Sequence, residues 1–347
     1  MKYSNEMFCR YAFSHDSPHN QGVSPLSNAI LHSIKVSGIM TIKRKPLDQK
    51  TARYFSDLGH MVFIEALTRA EPLQARQVAF HGGTSLHLSW QSPRFSEDLD
   101  FLLDRGQANR MDKIIRKIEA GMRRILKARD PDLDVKITDK TRDGSNLLNY
   151  RITISSRSVI GNVHVKAEFW QVPADYLKKY DTRFTYPLKA GDLVTSVSQP
   201  VPAATLETAY ADKMTACATR RHLKWRDVFD IWWLRQQIDI DLEQMAVKYL
   251  HQVTAFDTVE GLPPDQALFR YLEWPREKFL KEADPDIRKW LPKELWENLE
   301  NIGIEEIVDD VRAAVKDMAH AVEFRLAQME VTSMDVEVEN DELCFNP

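Results

Sequence analysis

Asp98 and Asp100 stand two residues apart in Arg94-Phe95-Ser96-Glu97-Asp98-Leu99-Asp100-Phe101, a short distance after Phe80-His81-Gly82-Gly83-Thr84-Ser85. In an extended strand alternate side chains share a face, so the two carboxylates would point one way and Leu99 and Phe101 the other. Carboxylates so paired offer hard oxygen ligands to Mg²⁺ or Mn²⁺, which could activate a hydroxyl nucleophile and neutralise a departing pyrophosphate. Gly82 and Gly83 let the backbone turn without Cβ clashes, so amides at the start of a following helix could face a nucleoside triphosphate. Thr84 and Ser85 would add hydroxyl donors. Each pattern alone also fits a glycine turn or a half-buried strand with two solvated acids; their succession on strand, turn, helix and strand points to nucleotidyl-transfer chemistry.

The elements around this motif extend it. Val78 to Phe80 reads as a short apolar strand leading into the glycine turn. From Asn162 to Phe169, Val163, Val165, Ala167 and Phe169 share one face while His164, Lys166 and Glu168 share the other, so Glu168 could complete a carboxylate trio. An amphipathic strand with a solvated Lys/Glu face has the same pattern. Thr205 to Arg221 reads as a helix, on which Lys213 could meet phosphates as a point charge or remain a surface lysine. In the next helix, from Arg226, Asp227 and Asp230 fall about one turn apart and could orient Lys213 or the nucleotide. An Arg226–Asp230 ion pair at helical spacing is the alternative, with Val228, Ile231, Trp232 and Leu234 as core.

Gly82-Gly83-Thr84, the Arg94–Phe101 run, Lys166-Ala167-Glu168, Ala211-Asp212-Lys213 with Arg220, and Arg226-Asp227-Val228-Phe229-Asp230 resemble, in order, the motifs of the AbiEii/AbiGii nucleotidyltransferase toxins, over residues 55 to 240. The resemblance implies an α/β fold: a polymerase-beta-like nucleotidyltransferase core with a mixed sheet, plus a helical C-terminal part. It also implies a toxin of a bacterial toxin–antitoxin or phage-defence pair, with a cognate antitoxin protein as partner. The implied reaction is Mg²⁺-dependent transfer from a nucleoside triphosphate to an RNA 3′ end, with tRNA the expected acceptor. Carried over by position, Asp98 and Asp100 resemble the metal ligands, with Glu168 the third candidate. Lys213 resembles the nucleotide lysine, and Asp227 and Asp230 the final acidic motif of the catalytic set. Transfer to a protein or small-molecule hydroxyl, and a non-catalytic nucleotide- or RNA-binding regulator, remain open beside it.

The bulk composition permits this reading without selecting it. A chain of 347 residues, 43% hydrophobic and 28% charged, can bury a full core, and its three scattered cysteines suggest neither a disulfide framework nor a zinc cluster. A reducing cytoplasm fits, and no apolar run approaches the roughly 18 residues of a membrane span. The net charge of −4 argues weakly against nucleic acid, but the helix expected over Asn109–Arg129 concentrates cations beside an apolar stripe of Ile114, Ile115, Ile118, Met122, Ile125 and Leu126. Such a face could follow an RNA backbone or serve solubility.

The organisation expected is a leader over 1–39, a nucleotidyltransferase core over 40–200, a helical domain over 201–330 and an acidic tail over 331–347. Met40 is a candidate natural start. Helical spacing also marks Thr51–Ala70, Asp241–Leu272 and Glu305–Met329, with proline-bearing connectors at 263–264 and 285–292.

Overall fold

The computed structural model describes residues 44–189 and 195–343, with 195–196 and 332–343 described as backbone only. The expected leader, Met40, Cys9 and Cys344 lie outside the described residues.

In chain order the strands are β1 (Lys45–Pro46), β2 (Val78–His81), β3 (Asp98–Asp104), β4 (Leu133–Asp139), β5 (Leu147–Ser156), β6 (Val159–Ile160), β7 (Asn162–Val172), β8 (Thr182–Thr185), β9 (Leu188–Lys189), β10 (Thr195–Ser196) and β11 (Val201–Ala204). The helices are α1 (Gln49–Ala70), α2 (Gly82–Ser89), α3 (Met111–Arg129), α4 (Ala174–Lys178), α5 (Leu206–Thr219), α6 (Trp225–Arg235), α7 (Leu242–Val253), α8 (Pro264–Leu272), α9 (Arg276–Ile287), α10 (Lys293–Ile302) and α11 (Ile304–Leu343). Seven strands form one mixed sheet in the order β4-β5-β7-β3-β2-β11-β8. Within it β3 is parallel to β7 and β11 to β2, and the other neighbours are antiparallel. The mixed sheet followed by helices is the fold expected.

Aromatic packing fixes the register that matters. Phe80, Phe101 and Phe169 are cross-strand partners on β2, β3 and β7, all buried, with ring centroids 5.0 and 4.8 Å apart along the row. A slip of one residue would turn these rings out of the core and bury carboxylates in their place, so the ladder holds the acidic face where it is. Leu99 and Phe101 pack with α1 and α3 residues, among them Phe63, Ile118 and Met122. The carboxylate side of β3 therefore faces away from α1 and α3.

Two helices that carry site residues follow directly from the sheet. Thr205 caps α5, its Oγ1 accepting from the Thr208 amide at 3.2 Å, immediately after the last sheet strand. Helices α5 to α11 then build a second core around Tyr210, Trp225, Phe229, Tyr249 and Phe279. Val308, Val311, Val315, Met318 and Val322 of α11 recur at helical spacing on its buried side.

Several element boundaries differ from the expectation. The Asp241–Leu272 stretch is two helices, α7 and α8, and Pro285 lies inside α9 rather than in a connector. The basic segment starts as a 3₁₀ turn over Arg105–Arg110 before α3. Helix α11 continues to Leu343, well into the stretch read as tail, because neither Gly nor Pro interrupts residues 304 to 343.

Candidate active site

The register places the expected carboxylates side by side. Asp100 is paired with His81 on β2 and Glu168 on β7, and Glu168 in turn with Asn149 on β5. One step along, Asp98 is paired with Lys166, and Lys166 with Arg151. Glu168 Oε1 accepts from Asn149 Nδ2 at 2.9 Å, and Asp98 Oδ1 lies 3.5 Å from Lys166 Nζ. Burial and then Asp98 push the Asp100 carboxyl above the usual range, against the pull of His81. Burial raises Glu168 too, with Asp100 and Asp98 adding like-charge repulsion.

Asp98, Asp100 and Glu168 line a cavity of about 390 Å³ together with Gly82, Gly83, Arg94, Ser96, Lys213, Arg220, Arg226 and Asp227. The glycines are there for a steric reason. Gly82 has φ +73°, and a Cβ on it would come within 2.5 Å of Asp100 Oδ2; a Cβ on Gly83 would meet Arg94 Nη2 at 2.3 Å and Ser96 Oγ at 2.9 Å. Left-handed backbone alone costs a Cβ-bearing residue roughly 1–2 kcal/mol. Gly82→Ala is therefore expected to lower the melting temperature by several degrees and to cut nucleotidyl transfer about 100-fold by displacing Asp100. Thermal denaturation and a transfer assay read both; an unimpaired Gly82→Ala enzyme would show that the carboxylate tolerates displacement.

Thr84 and Ser85 stand differently from the expectation. Both are buried, Thr84 Oγ1 donating to the Asp98 carbonyl and Ser85 Oγ to the Phe80 carbonyl at 3.1 Å. Their hydroxyls brace the turn and the start of β3, and neither residue lines the cavity.

Opposite the carboxylates lies an ion-pair network, buried at Arg94, Lys213, Asp227 and Asp230 and exposed at Arg220. Lys213 Nζ is 3.1 Å from Asp227 Oδ1 and 2.7 Å from Asp230 Oδ2. Asp230 is also gripped at both oxygens by Arg94, whose Nε and Nη2 donate at 2.7 Å each, and Arg220 Nη1 lies 3.0 Å from Asp227 Oδ2. Burial pushes both aspartates up, but Arg220 and Lys213 at Asp227, and Arg94 and Lys213 at Asp230, outweigh it and hold both below the ordinary carboxylate range. Three cations against two anions leave one net positive charge. Two of the three ammonium hydrogens of Lys213 are committed, leaving one for the cavity. Asp230, fully buried and absent from the cavity wall, acts on Lys213 and Arg94 rather than on a ligand. The Arg226–Asp230 pair considered from spacing does not form; Arg226 instead sits over the Trp290 ring at 5.1 Å.

Sequence reasoning missed Arg94 as a site residue. Its signal was present: an arginine between Pro93 and Phe95 in an apolar setting needs a carboxylate partner. His81 and Asp212 also line the cavity, with His81 Nδ1 3.7 Å from Asp212 Oδ2 and Tyr180 OH donating to Asp212 at 2.5 Å. His87 is a packing residue, bonded to the Ser92 carbonyl and to Lys189, and burial with that lysine's charge holds it at about 3.

The family model described as nucleotidyl transferase AbiEii toxin of type IV toxin–antitoxin systems matches residues 65–324. The chain belongs to the AbiEii nucleotidyltransferase toxin family. The match runs past the motifs that suggested it and takes in most of the C-terminal helices. No curated protein matches the chain. Among solved structures, the nucleotidyltransferase toxin MenT4 from Mycobacterium tuberculosis H37Rv is similar at 17% identity and a TM-score of 0.44, covering 58% of this chain. This chain spans 65% of MenT4. JHP933 from Helicobacter pylori is similar at 15% identity and a TM-score of 0.46, covering 83% of this chain and 99% of its own.

AbiEii proteins are nucleotidyltransferases, and the family is the toxin half of a toxin–antitoxin pair. Among the described residues no helix of this member is long and apolar enough to cross a membrane.

Proposed function

We propose that this AbiEii protein transfers a nucleotidyl group from a nucleoside triphosphate to the 3′-hydroxyl of an RNA, with tRNA the expected acceptor. The observation that carries the reading is the division of one cavity into two walls: Asp98, Asp100 and Glu168 on the sheet, and opposite them the net-positive network of Arg94, from the loop before β3, Lys213 of α5 and Arg220 at the end of α5.

The acidic wall fits a divalent cation by its donors. It offers carboxylate oxygens, the class Mg²⁺ and Mn²⁺ take, and burial, with the neighbouring carboxylates adding to it, raises both Asp100 and Glu168, a cost a bound cation would relieve. Among the described residues no three acidic, His or Cys side chains already converge on one point; Asn149 and Lys166 hold Glu168 and Asp98 aside. Held by Asp98, Asp100 and Glu168, Mg²⁺ would supply activation of the hydroxyl and charge neutralisation at the leaving group.

The chain's own groups do the positioning. The free N–H of Lys213 and the remaining guanidinium N–H groups of Arg220 face the triphosphate, and Asp227 keeps both from drifting. The O3′–Pα bond forms as the bond from Pα to the bridging β-phosphate oxygen breaks, pyrophosphate departs with that electron pair, and the hydroxyl proton passes to water. Arg220 and Arg226 on the cavity wall, with Arg221 and Lys224 beside them in the sequence, support a polyanionic acceptor over a protein or small-molecule hydroxyl.

Incubating the protein with total RNA and each triphosphate labelled at the α-phosphate identifies the acceptor. Label is expected in RNA, at 3′ ends, and chiefly in tRNA. Label found only in protein or in a small molecule would replace the RNA acceptor with that class, and absence of transfer with every triphosphate would return the chain to a binding role.

A further inference from the structure

The sheet wall of the site does not end at Glu168. Past β7, the same side of β5 and β4 carries Arg151, Thr153, Thr138 and Lys136, set by register: Asp98 pairs with Lys166, Lys166 with Arg151 and Arg151 with Thr138, while His164 pairs with Thr153 and Thr153 with Lys136. Strands lie about 4.8 Å apart, so this surface continues roughly 15 Å from the Asp98–Asp100 strand to β4. The helices that pack strongly on β4, β5 and β7 are α1 and α3, on the opposite side with Leu99 and Phe101.

Lys136, Arg151, His164 and Lys166 are exposed. Among the described residues the side chains of Lys136 and Arg151 have no hydrogen-bond or ion-pair partner, which is unusual for an arginine at the centre of a strand pair. His164 Nδ1 meets Thr153 Oγ1 at 3.1 Å, and Lys166 leans to Asp98. The acids on this side gather at the cavity, where a divalent cation would neutralise them. Asp134, at the far edge, is taken up by Arg123 at 3.0 Å.

The basic helix α3 is the competing platform, and the fold argues against it. Its cations lie across the sheet from the carboxylates. Two of them are already engaged, Arg123 with Glu119 and Asp134 and Arg129 with the Tyr54 hydroxyl, and Arg110 just before the helix is paired with Glu71. A strand bound along α3 would have to pass around the sheet edge to present its end to the cavity.

We propose that the open β4–β5–β7 face, through Lys136, Arg151 and Lys166, binds the phosphodiester backbone of the acceptor RNA and leads its 3′ end across β7 to the Asp98–Asp100 edge. This assignment rests on the RNA reading above and adds the path by which the acceptor enters. Thr138, Thr153 and His164 lie between the cations as hydrogen-bonding groups, a pattern suited to sugar and phosphate contacts without base selection.

The test uses the full chain with unfractionated tRNA and labelled triphosphate, across a salt series. Lys136→Glu/Arg151→Glu is expected to raise the KM for tRNA about tenfold or more and to flatten the salt dependence of log kcat/KM by about one to two units of slope. Triphosphate affinity by calorimetry and kcat at saturating tRNA should stay within about twofold, because neither residue touches the cavity. The neutral Lys136→Gln/Arg151→Gln protein should fall between the two, and reversal of Arg116, Lys117, Arg124 and Lys127 on α3 should change none of these. Unchanged KM and salt slope in the Lys136→Glu/Arg151→Glu protein, with wild-type tRNA transfer intact, would overturn the surface assignment alone. Wild-type protein that labels no RNA would overturn the acceptor reading, and the surface with it.

Discussion

Asp98→Asn and Asp100→Asn are each expected to keep the fold and lose nucleotidyl transfer by about 10³-fold or more. Asn keeps the size of the side chain but replaces an anionic oxygen with an amide, removing a hard-cation ligand and part of the charge that places the cation. The loss should appear in kcat, since the triphosphate contacts assigned to Lys213 and Arg220 are untouched. Stability should hold or rise, because burial and like-charge crowding already strain Asp100 in its ionised form. Glu168→Gln should fall in the same direction with a smaller loss, about 100-fold, as the Gln carbonyl can still accept from Asn149. Melting curves beside initial rates separate the roles: a variant that melts early and keeps its rate would mark a structural acid, not a ligand.

Asp230→Asn is expected to act mainly on stability. The residue is fully buried, bound through both oxygens by a buried Arg94 and through one by Lys213. Removing its charge leaves two buried cations to share Asp227, and breaking one partner of a buried pair costs about 3–5 kcal/mol, or roughly 4–8 °C of melting temperature for a chain of this length. Because the folded carboxyl is held below its unfolded value, its contribution is present above the unfolded value near pH 4 and is lost as pH falls through the lower folded value. The wild-type and Asp230→Asn melting temperatures should therefore converge below about pH 4 and separate fully by neutrality. Thermal denaturation from pH 3 to 8 measures this, and coincident curves at pH 7 would show that the network carries no net stability.

What could be read from the sequence was what local periodicity controls. Alternation alone put Asp98, Asp100 and Glu168 on faces that the parallel β3–β7 pairing then joined, and the ordered motifs were enough to suggest the family. Long-range partnerships were not legible. Arg94 and Asp230 are 136 residues apart, and no periodicity tells a buried arginine which carboxylate it will meet. The Thr84 and Ser85 hydroxyls were expected at phosphates because a glycine turn usually frees the following donors, but the short α2 turns both inward to backbone carbonyls. The charge on α3 was visible, while the side of the sheet it covers was decided only by where Leu99 and Phe101 pack. Pro285 was read as a breaker, yet the chain accommodates it within α9.

The central claim is that the Asp98–Asp100 edge of the cavity catalyses nucleotidyl transfer, and pyrophosphate release tests it most directly. Purified wild-type protein, with Mg²⁺, triphosphate and unfractionated tRNA, should release pyrophosphate in step with label entering RNA, while Asp98→Asn protein of equal melting temperature should release almost none. Equal release by the two proteins would contradict the assignment of this site.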